Sequence, residues 1–111
     1  MATIEECREA LQQLAEVLAR NAEAKGKLDL DRSLALDITD LDTSFHGRLK
    51  GGHLTDIQDG PDPNAKIRLI TASDDLIALV DGRLDFAKAW ATGKLSVKAN
   101  VFDLMKLRGL L

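Results

Sequence analysis

The chain has little of the side-chain chemistry that catalysis and metal binding draw on. Cys7 is its one cysteine. No internal disulfide can close, no CxxC motif exists, and a reducing, cytoplasmic setting is expected. His46 and His53 are the only histidines. They lack a third ligand at any recognised spacing and read as surface residues beside a sheet, so no metal is expected. Ser33, Ser44, Ser73 and Ser96 stand in no Gly-x-Ser-x-Gly context, and no catalytic residue is expected among them. Gly47, Gly51, Gly52 and Gly60 make no phosphate loop, and no cofactor is expected. No apolar run approaches the roughly 18 residues of a membrane span. The start, Met1 to Glu6, has neither the basic nor the apolar region of a signal peptide. The closing Arg108-Gly109-Leu110-Leu111 reads as neither a peroxisomal Ser-Lys-Leu address nor a lipidation box.

Basic character is scarce too. Fifteen Lys and Arg stand against eighteen Asp and Glu, a net charge of -3. That balance argues against nucleic acid as a partner, because phosphate binding needs a basic surface. What the chain does have is apolar content, 45% of its 111 residues. This is enough for the core of one soluble domain, expected over 1–111.

The order of elements can be read from periodicity and punctuation. Thr3 with Glu6 forms a capping box, and Ile4, Cys7, Leu11, Leu14 and Leu18 lay one apolar stripe along a first helix that should stop at Gly26. Leu34, Leu36 and Ile38 alternate with polar or small residues, as do Phe45, Gly47 and Leu49. Gly51-Gly52 predicts a hairpin turn. Leu54 and Ile57 are out of phase by one, which predicts a bulge or a short edge strand. Asp59 to Asn64 predicts an exposed loop. Ile67 and Leu69 mark a fourth strand. Ser73 is expected to cap a helix with Asp74 and Asp75 in its first turn and Gly82 at its end. Asp85 is expected to cap the next helix, which carries Phe86 and Trp90 and stops at Gly93. Leu95, Val97 and Ala99 alternate as a fifth strand, and Asn100 then caps a closing helix through Leu111. The strands have one apolar and one charged face, so helices should cover one side only. The class is α+β.

This run resembles the sterol carrier protein type-2 family of small lipid-transfer domains. The likeness is carried by Ile67-Arg68-Leu69-Ile70-Thr71-Ala72-Ser73-Asp74-Asp75-Leu76, by Leu79-Val80-Asp81-Gly82-Arg83-Leu84-Asp85, by Ala89-Trp90-Ala91-Thr92-Gly93-Lys94-Leu95-Ser96-Val97-Lys98-Ala99 and by Leu104-Met105-Lys106-Leu107. It is best over residues 65 to 111. The resemblance implies a five-stranded mixed, mainly antiparallel sheet covered on one face by helices, with an apolar tunnel between the layers. It implies that sterol, fatty acid or acyl-CoA is carried there, with no reaction and no metal. The chain departs from the family at Ala99-Asn100, where a glycine is common, and in lacking a peroxisomal signal. A bacterial, stand-alone, cytoplasmic lipid carrier is the member this implies.

The lining candidates are Leu76, Leu79, Phe86, Trp90, Leu95, Val97, Phe102 and Met105. Phe86, Trp90, Phe102 and Met105 equally suit plain core packing, since aromatic and Met residues at helical spacing usually fill interiors. The case for a ligand rests on the last segment: seven of the eleven residues from Val101 to Leu111 are apolar, too many for one stripe. Such a helix needs cover on more than one side, from protein, ligand or partner. The C-terminal helix is therefore expected to serve as a lid. Arg48, Lys50, Lys66, Arg68, Lys94 and Lys98 read either as a solvated sheet face or as a surface for transient contact with a membrane. The alternative function is a protein-interaction or dimerisation module built on the apolar C-terminal helix, so monomer and homodimer both stay open. An enzyme reading, such as steroid isomerisation, would need a carboxyl or hydroxyl deep in the apolar space.

Overall fold

The computed structural model describes residues 1–25 and 30–110. The elements run α1 (Ile4–Lys25), β1 (Asp31–Ile38), β2 (Thr43–Lys50), β3 (His53–Asp59), β4 (Ile67–Thr71), α2 (Ser73–Val80), α3 (Phe86–Thr92), β5 (Leu95–Lys98) and α4 (Val101–Leu110). The strands form one sheet in the order β3-β2-β1-β4-β5. β1 pairs antiparallel with β2 and parallel with β4, while β2/β3 and β4/β5 are antiparallel. This is the mixed, mainly antiparallel α+β arrangement expected. The expected stop at Gly26 and the end of the last helix at Leu111 lie outside the described residues.

Period-two patterning sorts the sheet into two faces. Leu34, Leu36, Ile38, Phe45, Leu49, Ile67, Leu69 and Leu95 are buried on the helix side. They meet the stripe of α1, where Cys7, Ala10, Leu11, Leu14, Leu18 and Ala22 are all buried. Burial pushes the Cys7 thiol pKa up, with Asp40, Glu6 and Asp74 adding to the effect, so the residue packs as a small apolar group. The opposite face is wet and charge-paired. Arg48 Nε donates to Asp31 at 2.6 Å and Arg68 Nη1 to Asp37 at 2.8 Å. Two members of the expected basic patch are thus neutralised by their neighbours.

Local punctuation holds with one exception. Thr3 and Glu6 exchange the two bonds of a capping box, each 3.1 Å. Gly82, at φ 80°, closes a Schellman motif in which Arg83 N–H donates to Ala78 O at 2.9 Å. The predicted bulge is present: opposite Gly47 the pairing steps from His46↔Gln58 to Arg48↔Thr55. A Cβ on Gly47 would stand 2.8 Å from Thr55 O, so this position has no room for a side chain. The exception is Ser73. Ala72 is the N-cap of α2 and offers no side-chain cap. Ser73 lies inside the first turn, where its N–H and hydroxyl donate to the two oxygens of Asp40, at 2.8 and 2.6 Å. A carboxylate remote in sequence therefore satisfies that helix start, and these bonds hold the Asp40 pKa below the usual carboxylate range.

Candidate functional site

The site grows from the way α3 and α4 close the helix layer. Asp85 accepts a 3.2 Å bond from Lys88 N–H to start α3, and Gly93, left-handed at φ 82°, ends it after two turns. Ala89 is the buried contact of α3, with Phe86 and Trp90 half-buried to either side. Asn100 Oδ1 accepts from Asp103 N–H at 2.8 Å to start α4. Among the described residues α4 buries two side chains, Asp103 and Leu107, one turn apart.

Asp103 is 1% exposed, yet it is a carboxylate on a mostly apolar helix. Its partner explains its position. Arg32 shares the inward phase of Leu34, Leu36 and Ile38 on β1, and its Nε donates to Asp103 Oδ2 at 3.1 Å. A second Arg32 nitrogen donates to Asp31 O at 2.9 Å. One charged pair and one leucine thus fasten α4 to the body. The ion pair also fixes the roll of the helix. With Asp103 turned inward, Val101, Phe102 and Met105 point out, at 68%, 77% and 67% exposure. Plain core packing, one of the two readings of Phe102 and Met105, is not what they do here, because periodicity alone could not know that the aspartate would be the buried residue.

Two apolar spaces result. Under α4 lies a hollow of about 20 Å³, lined by Leu14, Leu18, Leu34, Leu36, Leu49, Leu69, Thr71, Leu76, Leu79, Phe86, Leu95 and Leu107. Its one polar side chain, Thr71, spends its hydroxyl on Lys94 O at 2.9 Å. Room for about one water is all this volume provides. Between α3 and α4 runs a groove of about 390 Å³, lined by Phe86, Ala87, Trp90, Ala91, Val101, Leu104, Met105 and Arg108. Phe86 lines both spaces and stands between them.

Of the lining candidates, Leu76, Leu79, Phe86 and Leu95 come together around the hollow, and Phe86, Trp90 and Met105 around the groove. Val97 is half-buried against the core, and Phe102 borders neither space. Sequence reasoning missed the far wall, made by Leu14 and Leu18 of α1 and by Leu34, Leu36, Leu49 and Leu69 of the sheet. Their inward phase was visible; that the last helix would lie across them was not. It also missed Arg32 and Asp103, whose signal was charge placed in an apolar phase. Among the described residues no three His, Cys, Asp or Glu side chains gather as metal ligands, and no helix is long and apolar enough to cross a membrane.

Known structures share this fold. A crystal structure of sterol carrier protein 2 superimposes with a TM-score of 0.67 at 16% identity, covering 97% of this chain and 88% of that one. Sterol carrier protein 2-like 2 from Aedes aegypti gives 0.64 at 15% identity, covering 94% and 98%. The fold also occurs as a part of something larger. A stereoselective inverting sec-alkylsulfatase from a Pseudomonas species matches with a TM-score of 0.56 at 24% identity over 73% of this chain, which spans 13% of that enzyme. No curated protein sequence matches the chain. Residues 5–111 match the SCP-2 sterol transfer family as a whole. That match supports sterol or lipid binding or transfer as the general class of function, and by it the chain belongs to the SCP-2 sterol transfer family.

Proposed function

We propose that this chain binds and carries an apolar lipid, a sterol, fatty acid or acyl-CoA, without catalysis, in a tunnel that opens beneath α3 and α4. The observation that carries the reading is that two apolar spaces share the Phe86 side chain as a common wall: a leucine-lined hollow under α4 and a groove of about 390 Å³ beside it. Moving α4 outward joins them. Burying a methylene gains roughly 0.8 kcal/mol, so about a dozen give on the order of 10 kcal/mol before association costs. That leaves micromolar or tighter binding without directional contacts. The absence of catalysis is supported by the polar groups nearby: the Thr71 hydroxyl is bonded to Lys94 O, and the Asp103 carboxylate is paired with Arg32 and lines neither space. A cytoplasmic, bacterial setting and transient contact with a membrane during exchange complete the reading.

Titration with fluorescent fatty acid and sterol probes, with native mass spectrometry of the purified protein, tests this. Saturable uptake of one lipid per chain is expected. No uptake across a broad lipid panel would overturn it. A second reading, a dimerisation or protein-interaction module, is favoured by one observation, the exposure of Val101, Phe102 and Met105 on one helix. A lipid-free dimer that dissociates on dilution, and that Met105→Ser prevents, would establish it instead.

A further inference from the structure

The groove between α3 and α4 is apolar except at one point. Among the side chains that line it, Arg108 alone carries a charge. Val101, Leu104, Met105 and Arg108 recur at i, i+3, i+4 and i+7, so they form one stripe along two turns of α4. The arginine closes that stripe. Helical side chains lean toward the N-terminus, which lays the Arg108 stem back over the turn that holds Leu104 and Met105. The other wall carries the rings of Phe86 and Trp90. Among the described residues no carboxylate lines the groove. Asp103 is buried and paired with Arg32. Asp85 is exposed, but it accepts from Lys88 N–H at the start of α3 and lines neither apolar space. Among the described residues no salt bridge engages Arg108, which is exposed.

We infer that Arg108 is the specificity-determining residue of this groove: an apolar chain that ends in one anionic head, a long-chain carboxylate, is taken ahead of a neutral or cationic amphiphile of the same length. The guanidinium is a planar fork of N–H donors that matches a carboxylate with two parallel bonds. Beside apolar walls such a pair is screened less than in open water. The volume of about 390 Å³ lies in the range of small-ligand sites, which are mostly apolar with a few polar groups that fix orientation. A sterol would leave the cation without a counter-charge. An acyl-CoA would bring several phosphates to a groove with one cation. The inference rests on the proposed lipid carriage and narrows it to one head chemistry.

Titration of Trp90 emission at neutral pH with three probes of one chain length, dodecanoate, dodecanol and dodecyltrimethylammonium, tests it. Dodecanoate should bind about fivefold tighter than dodecanol, the worth of a part-exposed ion pair, and dodecyltrimethylammonium should bind weakest. Arg108→Lys should keep most of that difference. Arg108→Gln should abolish it, and Arg108→Glu should reverse the order of the two ions. Lys88→Gln removes the α3 cation that does not line the groove and should leave the preference unchanged. The inference falls if dodecanoate and dodecanol bind alike, if Arg108→Gln preserves their difference, or if Lys88→Gln erases it as fully. Saturable binding of all three without preference leaves lipid carriage standing and removes this inference alone. Binding of none removes both, and a dimer closed to the probes would then name a second copy as the occupant.

Discussion

The two terminal helices are built on opposite plans. α1 buries six small or apolar residues in one stripe and keeps its charges in water. α4 buries a charged aspartate and a leucine and leaves a valine, a phenylalanine and a methionine outside. The first plan maximises apolar area removed from water, the driving force of folding. The second forgoes it, and what it gains is a helix that few contacts restrain. Elements that must move are drawn from the weakly held part of a fold. On the proposed function the contrast separates scaffold from door: α1 and the sheet would stay in place while α4 moves.

The largest effect that sharpens this contrast is a pair of truncations. Leu11→Ala in the α1 stripe should cost about 2–5 kcal/mol in denaturant unfolding. Met105→Ala should fall within about 0.5 kcal/mol of the wild type. Comparable losses at both positions would mean that α4 is as integral as α1.

The next effect concerns the fastening of α4. Arg32→Ala strands a buried carboxylate and should cost about 2 kcal/mol or more. Asp103→Leu removes that carboxylate and frees Arg32, already 39% exposed, to reach water. It should lie within about 1 kcal/mol of neutral. Equal losses in both variants would show that the pair is worth more than its desolvation. Hydrogen exchange should report faster opening of α4 amides in Arg32→Ala, with α1 unaffected.

Phe86 probes the passage between the two spaces. Phe86→Ala should speed lipid uptake several-fold in stopped-flow mixing with a fluorescent fatty acid, because the side chain common to both linings is gone. An unchanged rate would place the entry elsewhere.

The smallest effect is acid sensitivity of the scaffold. Asp31, Asp40 and Asp59 have pKa values below the usual carboxylate range, chiefly through bonds from Arg48, Ser73 and Arg8. A lowered folded-state pKa adds stability that is complete above about pH 4 and is lost as pH falls through the folded-state values. Melting temperature should therefore drop below about pH 4, and Asp40→Asn should flatten that drop. A wild-type acid limb matched by Asp40→Asn would show that the Ser73 bonds contribute nothing.

The scaffold was legible in the sequence because its signals are local and periodic. The α1 stripe, the alternation around Leu36 and Phe45, the slip between Leu54 and Ile57 and the caps at Asp85 and Asn100 each depend on residues within a turn or a strand. What escaped depends on distant pairs. Ser73 looked like a cap until Asp40, 33 residues away, took that work. Arg32 and Asp103, 71 residues apart, carry no local mark of their pairing, and their bond decides which side of α4 faces the core. Excess apolar content in the last segment was visible, but which residues it would leave outside was not. The candidate wall was legible on its C-terminal side for the same reason, and the α1 and sheet side became part of it only once α4 was placed.

Trp90, the only tryptophan, lies in the groove between α3 and α4 and reports directly on whether a lipid enters there. Its emission should be followed during titration with a long-chain fatty acid, a sterol and an acyl-CoA, alongside hydrogen exchange of the α4 amides. The account expects saturable change in Trp90 emission with at least one of them, together with altered exchange confined to α3 and α4. Flat emission and unaltered exchange with all three would contradict it.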